Sequence, residues 1–217
     1  MDNASRPRET GLGILLRSKR IVVSVVLLIC VVTLITSNQF WRWMYPIGYQ
    51  PTIQQAASLT HIDPLLVASV IRVESKFHTH DVSHAGAIGL MQLMPDTAVW
   101  IVTQMNKTGE AQRMQITGHT ASELSVPNIN IQIGTWYIRY LIERFNGNEV
   151  AAIAAYNGGP KRVGQWLAQG VWNGQLNTIS DIPVGETRHF VDRVFYNYDL
   201  YKRIYGRDAA WQQRNVP

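Results

Sequence analysis

The sequence predicts an all-α domain behind a single N-terminal apolar helix, and three observations carry that expectation. From residue 53 onward apolar residues recur at helical spacing almost throughout, no stretch alternates apolar and polar residues between turn signals, and an uncharged apolar run follows a basic N-terminus. With 46% apolar and 16% charged residues in 217, the chain can bury one well-packed core and still carry an appendage. Its one cysteine, Cys30, lies inside the apolar run, so neither a disulfide nor a cysteine-based metal site forms within one chain.

Residues 1–20 are polar and basic, with Arg6, Arg8, Arg17, Lys19 and Arg20 against Asp2 and Glu9. Residues 21–36 carry no charge, and continuing through Phe40 and Trp41 brings the run to the roughly 20 residues that a spanning helix needs. Trp41, Trp43 and Tyr45 then suit an aromatic belt at the far interface. We therefore expect an uncleaved single-pass anchor over 21–43, with the N-terminus in the cytoplasm and everything after about residue 44 exported. A cleaved signal peptide fits less well, because Ile35-Thr36-Ser37-Asn38-Gln39 lacks the small residues of a cleavage site. A lipid-modified Cys30 fits badly too, since bulky Ile29 precedes it. Residues 1–37 hold five Lys+Arg against two Asp+Glu, leaving fifteen against thirteen for the rest, so much of the +5 net charge is topology signal. No Lys/Arg stripe with interleaved aromatics points to nucleic acid.

After a linker at 44–52, a short helix is expected at 53–60. The next starts at Asp63, an N-cap, with Pro64 at the first helical position, where its missing N–H costs nothing, and runs to about 77. Val67, Val70, Ile71, Glu74 and Phe77 share one side of it, which puts Glu74 where a core residue belongs. Burial disfavours the charged form of a carboxyl, so such a glutamate stays protonated near neutral pH and can serve as a general acid. The plainer reading is a glutamate at a frayed helix end, turned to solvent. Further helices are expected at 96–105, opened by Pro95, at 126–145 as the central core helix, and at 149–156, 161–168 and 186–205. On the central helix Ile129, Ile133, Trp136, Tyr137, Tyr140 and Leu141 form one face; on the last, Phe195, Tyr198, Tyr201 and Tyr205 are spaced as a packing stripe. The polar stretch 106–118 reads as a surface loop.

Two further stretches carry chemistry. Residues 83–95 place Gly86, Gly89 and a run of apolar residues directly after Glu74, with Gln92 offering an amide among apolar neighbours, a wall that suits a sugar. The alternative is a packed loop in which Met91 and Met94 fill core gaps. Residues 154–160 hold Tyr156, whose ring packs while its hydroxyl hydrogen-bonds, before Asn157-Gly158-Gly159, which is also an ordinary helix stop.

Taken together and in this order, the stretches resemble the lytic transglycosylases of bacterial peptidoglycan turnover, in the soluble-lytic-transglycosylase branch related to goose-type lysozyme. The similarity runs over 53–206. Glu74-Ser75 matches the family's Glu-Ser motif, 89–95 its G-L-M-Q-x-x-P motif, 155–159 its A-Y-N-A-G motif, and 182–191 a fourth that usually ends E-T-R-x-Y. The resemblance implies a lysozyme-like helical catalytic domain over 53–206, a C-terminal tail at 207–217, and an enzyme facing the cell wall. It implies Glu74 as the sole catalytic carboxyl, Ser75 as a neighbour that places substrate, Met91 and Gln92 as part of the glycan-binding wall, Tyr156 as the phenol beside the acid, and Asn157 as a further substrate contact. Two positions depart from the pattern. Gly158 stands where alanine is common, and Phe190 where tyrosine is common, so that hydroxyl is lost or moves to Tyr196 or Tyr198.

The implied reaction cleaves the β-1,4 bond between N-acetylmuramic acid and N-acetylglucosamine. Glu74 protonates the departing oxygen, then as a carboxylate takes the proton of the C6 hydroxyl as it closes onto C1, giving a 1,6-anhydro end without water. Neither a metal nor an organic cofactor is expected, and the six histidines show no ligand spacing. The partners expected are peptidoglycan glycan strands and, through 21–43, a membrane. A hydrolase on the same fold would need a second carboxylate to hold water, for which Asp81, Asp96 and Glu186 are candidates. A non-catalytic wall-binding scaffold is the other alternative, and the retained Glu74 with Tyr156 argues against it.

Overall fold

The computed structural model describes residues 11–116 and 121–212. Two compact units divide at Pro46 and Ile47. In the first, α1 (Gly11–Thr36) is 26 residues and so about 39 Å long, and its stretch Lys19–Thr36, with a mean hydropathy of 2.3, is long and apolar enough to cross a membrane. The expected continuous span through Trp41 is interrupted. Ser37 adopts extended backbone and caps a separate helix, α2 (Asn38–Met44). There the Trp41 indole N–H donates to the Ile35 carbonyl at 2.7 Å, and Trp41 stacks on Tyr45 while Trp43 stays exposed.

The second unit is helical, with no strand among its described residues. Its helices are α3 (Gln50–Thr60), α4 (Pro64–Glu74), α5 (Pro95–Lys107), α6 (Glu110–Arg113), α7 (Pro127–Arg144), α8 (Glu149–Gly158), α9 (Pro160–Ala168) and α10 (Gly185–Tyr205). The central helix α7 packs against α3, α5 and α8, and α10 lies along α4 and α8. Every residue of α7 from Asn130 to Ile138 is buried. The single apolar face expected there is therefore wrong: Ile129 and Tyr140 are only half-buried, and the polar Asn130, Gln132 and Thr135 lie inside. The stripe expected on α10 holds, with Phe195, Tyr198, Tyr201 and Tyr205 all buried.

Three boundaries move. α4 stops at Glu74, because Lys76 and Phe77 take left-handed backbone, so the helix ends three residues before the expected limit. The expected loop 106–118 contains α6 and buries Ala111, Met114 and Ile116; its last two residues lie outside the described residues. A charge cluster fixes this segment to α7: Glu110 accepts from the Trp136 indole at 2.8 Å and the Thr108 hydroxyl at 2.9 Å, and pairs with the Arg139 guanidinium at 2.7 Å. Chiefly through that arginine, the Glu110 pKa falls to about 2. Residues given to a linker and a tail are also drawn into the unit, since Ile47 is buried and Trp211 packs edge-to-face on Tyr205.

Candidate active site

The site is built at the C-terminal end of α4, where the helix hands over to the loop that leads to α5. Asp63 fixes the start of α4 by accepting from the Leu65 N–H at 2.8 Å, and its other oxygen accepts from the Tyr198 hydroxyl of α10 at 2.7 Å. Between these ends Pro64 to Ile71 are buried, so α4 is anchored as a rigid strut. Glu74 is its last residue and is half-buried. Burial pushes its pKa up to about 8, the Glu186 carboxylate of α10 adds to the shift, and the Arg193 guanidinium opposes it. Of the two sequence readings, the protonated acid is the one the environment favours, although Glu74 does sit at a helix end.

Three side chains hold the following loop in place from below. The Ser75 hydroxyl, itself buried, donates to the Leu90 carbonyl at 2.8 Å. Asn130, wholly buried in α7, accepts from the Met91 N–H at 2.8 Å and donates to the carbonyls of Ile88 at 2.9 Å and Leu124 at 2.8 Å. The Tyr156 hydroxyl donates to the Met91 carbonyl at 2.8 Å. Gly89 lies so close over Asn130 that a Cβ would strike both its amide and the Leu124 carbonyl, and its φ of +78° excludes most other residues. Isolated antiparallel bridges, Val82 with Ile88 and Ile88 with Leu93, close the loop on itself.

The expected site residues separate into distinct parts. Met91 is fully buried, with its thioether in the notch that Gly134 leaves on α7, so its side chain packs the core and only its backbone serves the loop. The alternative packed-loop reading thus holds for the Met91 side chain but not for Met94, which is 42% exposed. The Gln92 amide folds back to the carbonyls of Gly89 and Asp81 at 2.9 and 3.0 Å. Asn157 accepts from the Thr187 hydroxyl at 2.8 Å and so ties α8 to α10. That same Thr187 occupies the space beside Gly158, where a Cβ would come within 2.9 Å of its hydroxyl, which accounts for glycine at this turn.

Tyr156 is half-buried between rings, 5.6 Å from Tyr137 and stacked on Phe190 at 6.3 Å. Burial raises its pKa well above the usual phenol, with the neighbouring Glu74 charge adding, so it remains a hydrogen-bond donor. Phe190 supplies the stacking face without a hydroxyl. Tyr198 does not replace that hydroxyl, because its own is engaged by Asp63, and Tyr196 is 65% exposed. Of the candidate second carboxylates, Asp81 is an exposed loop residue 3.6 Å from His78, Asp96 is exposed in the first turn of α5, and Glu186 is the one in electrostatic contact with Glu74. Among the described residues no group of three or more His, Cys, Asp or Glu side chains is arranged to hold a metal.

The model of the transglycosylase SLT domain matches residues 51–178, which takes in Glu74, the loop that Asn130 holds, and Tyr156. The chain belongs to the transglycosylase SLT family. Among its relatives, the soluble lytic murein transglycosylase of Escherichia coli K12 is 33% identical over 168 residues, covering 76% of this chain and 24% of that protein. Membrane-bound lytic murein transglycosylase C of Photorhabdus laumondii is 36% identical over 119 residues, covering 51% of this chain and 31% of that one. The crystal structure of the 70-kDa soluble lytic transglycosylase of E. coli superposes with a TM-score of 0.66 at 28% identity, over 81% of this chain and 28% of its own. An inactive glutamate-to-glutamine mutant of the Pseudomonas aeruginosa Slt gives 0.63 at 32% identity, over 78% and 26%. The SLT chain described here thus spans about a quarter of the length of the soluble relatives it matches. The lysozyme-like helical fold expected from the sequence is the fold of these neighbours.

Proposed function

We propose that the chain is a membrane-anchored peptidoglycan lytic transglycosylase, and the observation that carries this reading is Glu74: one carboxyl, half-buried at the end of a rigid helix, with its pKa pushed up to about 8. A glutamate neutral at physiological pH can protonate the departing glycosidic oxygen between N-acetylmuramic acid and N-acetylglucosamine. Once ionised, it accepts the proton of the C6 hydroxyl as that oxygen closes onto C1, which leaves a 1,6-anhydro end. Arg193 favours the carboxylate and Glu186 the neutral acid, so both protonation states of the cycle are supported. Ser75, Gln92 and Asn157 serve by fixing the loop and the α8–α10 junction around the glycan, and Met91 by its carbonyl. Exposed Met94 takes over the wall role first given to the Met91 side chain.

The match to relatives named lytic murein transglycosylases, one of them a solved glutamate-to-glutamine mutant described as inactive, supports this assignment. Replacing Glu74→Gln in the full chain tests it. Turnover of peptidoglycan should fall by at least about 100-fold with the fold intact, and activity near the parent level would remove Glu74 from the role. Hydrolysis is the second reading, favoured by the one observation that Glu186 lies within electrostatic reach of Glu74. The apolar stretch Lys19–Thr36, behind a basic N-terminus, supports an uncleaved single-pass anchor that faces the catalytic unit toward the wall.

A further inference from the structure

A second cavity lies at the end of α4 opposite Glu74, where the last turn of α10 and residues 206–212 meet the start of α4. Its volume is about 380 Å³. α4 is 11 residues and so about 16 Å long, which separates this cavity from the candidate acid. The floor is apolar, made by buried Leu65 and by buried Trp211, whose ring is fixed edge-on against Tyr205. The rim carries two exposed cations, Lys202 and Arg207. Lys202 is placed by the Tyr198 ring, with its ammonium 4.6 Å from the ring centre, and among the described residues no carboxylate forms an ion pair with either cation. Glu149 is within electrostatic reach of Lys202 without pairing with it. Asp63 also lines the cavity, but each of its oxygens already accepts a hydrogen bond, one from the Leu65 N–H and one from the Tyr198 hydroxyl. The Gln212 amide donates to the Gly206 carbonyl at 3.4 Å and has a second N–H to offer.

Two cations and an amide donor above an apolar floor match an anion that carries an apolar group. The Asp63 charge in the wall repels a dianion such as phosphate more strongly than a monoanion, which favours a carboxylate. We propose that this cavity binds a small carboxylate ligand with the chemistry of an acylated dipeptide, its carboxylate held by Lys202 and Arg207 and its apolar end received by Leu65 and Trp211. The site goes beyond the glycan chemistry assigned to Glu74 and does not depend on it. Such an end occurs on wall peptides, which close with D-residues, and on ordinary polypeptides, which close with L-residues.

The test uses the full chain in detergent and ligand-observed saturation-transfer NMR, titrating N-acetyl-D-alanyl-D-alanine and N-acetyl-L-alanyl-L-alanine beside their C-terminal carboxamides. A ligand of this size should bind with a Kd of about 1 mM. The carboxamides should bind at least about tenfold more weakly, Lys202→Gln and Arg207→Gln should each weaken the acids by about five- to tenfold, and Lys202→Arg should restore most of the first loss. Tighter binding of the D,D isomer would assign the ligand to the wall, and tighter binding of the L,L isomer to a polypeptide end; either upholds the site. No saturable binding of either acid, equal binding of acid and carboxamide, or affinity unmoved by both charge removals would overturn it. The carboxamide comparison needs no variant, so it decides even if a substitution disturbs the fold. Peptidoglycan digestion is read separately, so failure here leaves the role of Glu74 standing.

Discussion

The hydroxyl of Tyr156 on α8 donates to the carbonyl of Met91 at 2.8 Å, and by this bond a residue 65 positions away in sequence fixes the loop that follows the candidate acid. The same ring stacks on Phe190, so the phenol has one polar and one apolar task. Tyr156→Phe keeps the stack and leaves the Met91 carbonyl without that donor. We expect a loss of about 1 kcal/mol in stability and about tenfold in turnover, measured by thermal unfolding and by peptidoglycan digestion. No change in turnover would reduce the phenol to packing.

Asn130 makes three hydrogen bonds to backbone while wholly buried, and each group it satisfies would otherwise be stranded away from water. Asn130→Ala should cost roughly 2–4 kcal/mol, read by denaturant unfolding. Asn130→Asp, which keeps the acceptor and loses the donors, should also destabilise the unit. If Asn130→Ala were neutral, the loop would have to be held by other contacts.

Turnover should decline on the alkaline side as Glu74 ionises, with an apparent pKa near 8 in the pH profile of kcat/KM. Removing the Glu186 charge with Glu186→Gln should move that limb to lower pH, and Arg193→Gln should move it higher, since the first group raises and the second lowers the Glu74 pKa. A raised carboxyl pKa favours the folded state fully below the unfolded value of 4.5 and loses that contribution as pH rises toward 8. Glu74→Gln should therefore melt higher than the parent at pH 9, with the difference closing by pH 4.

Glu110 has the opposite sign. Held at a pKa of about 2, it contributes stability above 4.5 that is lost as pH falls toward 2. Glu110→Gln should lower stability at pH 7 by roughly 1–3 kcal/mol and make little difference at pH 2. A uniform loss at both pH values would assign the cost to packing of Trp136 and not to the Arg139 pair.

Much of the fold was legible because helix starts are local: Asp63 and Pro64 specify the beginning of α4, and the Phe195 to Tyr205 stripe specifies which side of α10 is buried. What escaped was set by tertiary contact. The end of α4 depends on left-handed Lys76 and Phe77, which nothing local demands. α6 exists because Glu110 finds Arg139 and Trp136 on a distant helix. The buried setting of Glu74 and the packed ring and bonded hydroxyl of Tyr156 were readable from residue type and position, whereas the buried anchor Asn130 was missed: a polar residue between Ile129 and Ile131 in a helix buried all round is the signal that could have found it. Met91 was misplaced because sequence does not reveal the Gly134 notch that takes its side chain.

The most direct measurement is mass spectrometry of the products when the full chain digests peptidoglycan. Muropeptides ending in 1,6-anhydro-N-acetylmuramic acid, lighter by one water than their reducing counterparts and absent with Glu74→Gln, are the expected result. Reducing ends from the parent chain would contradict it, and would make Glu186 the carboxylate that holds the attacking water.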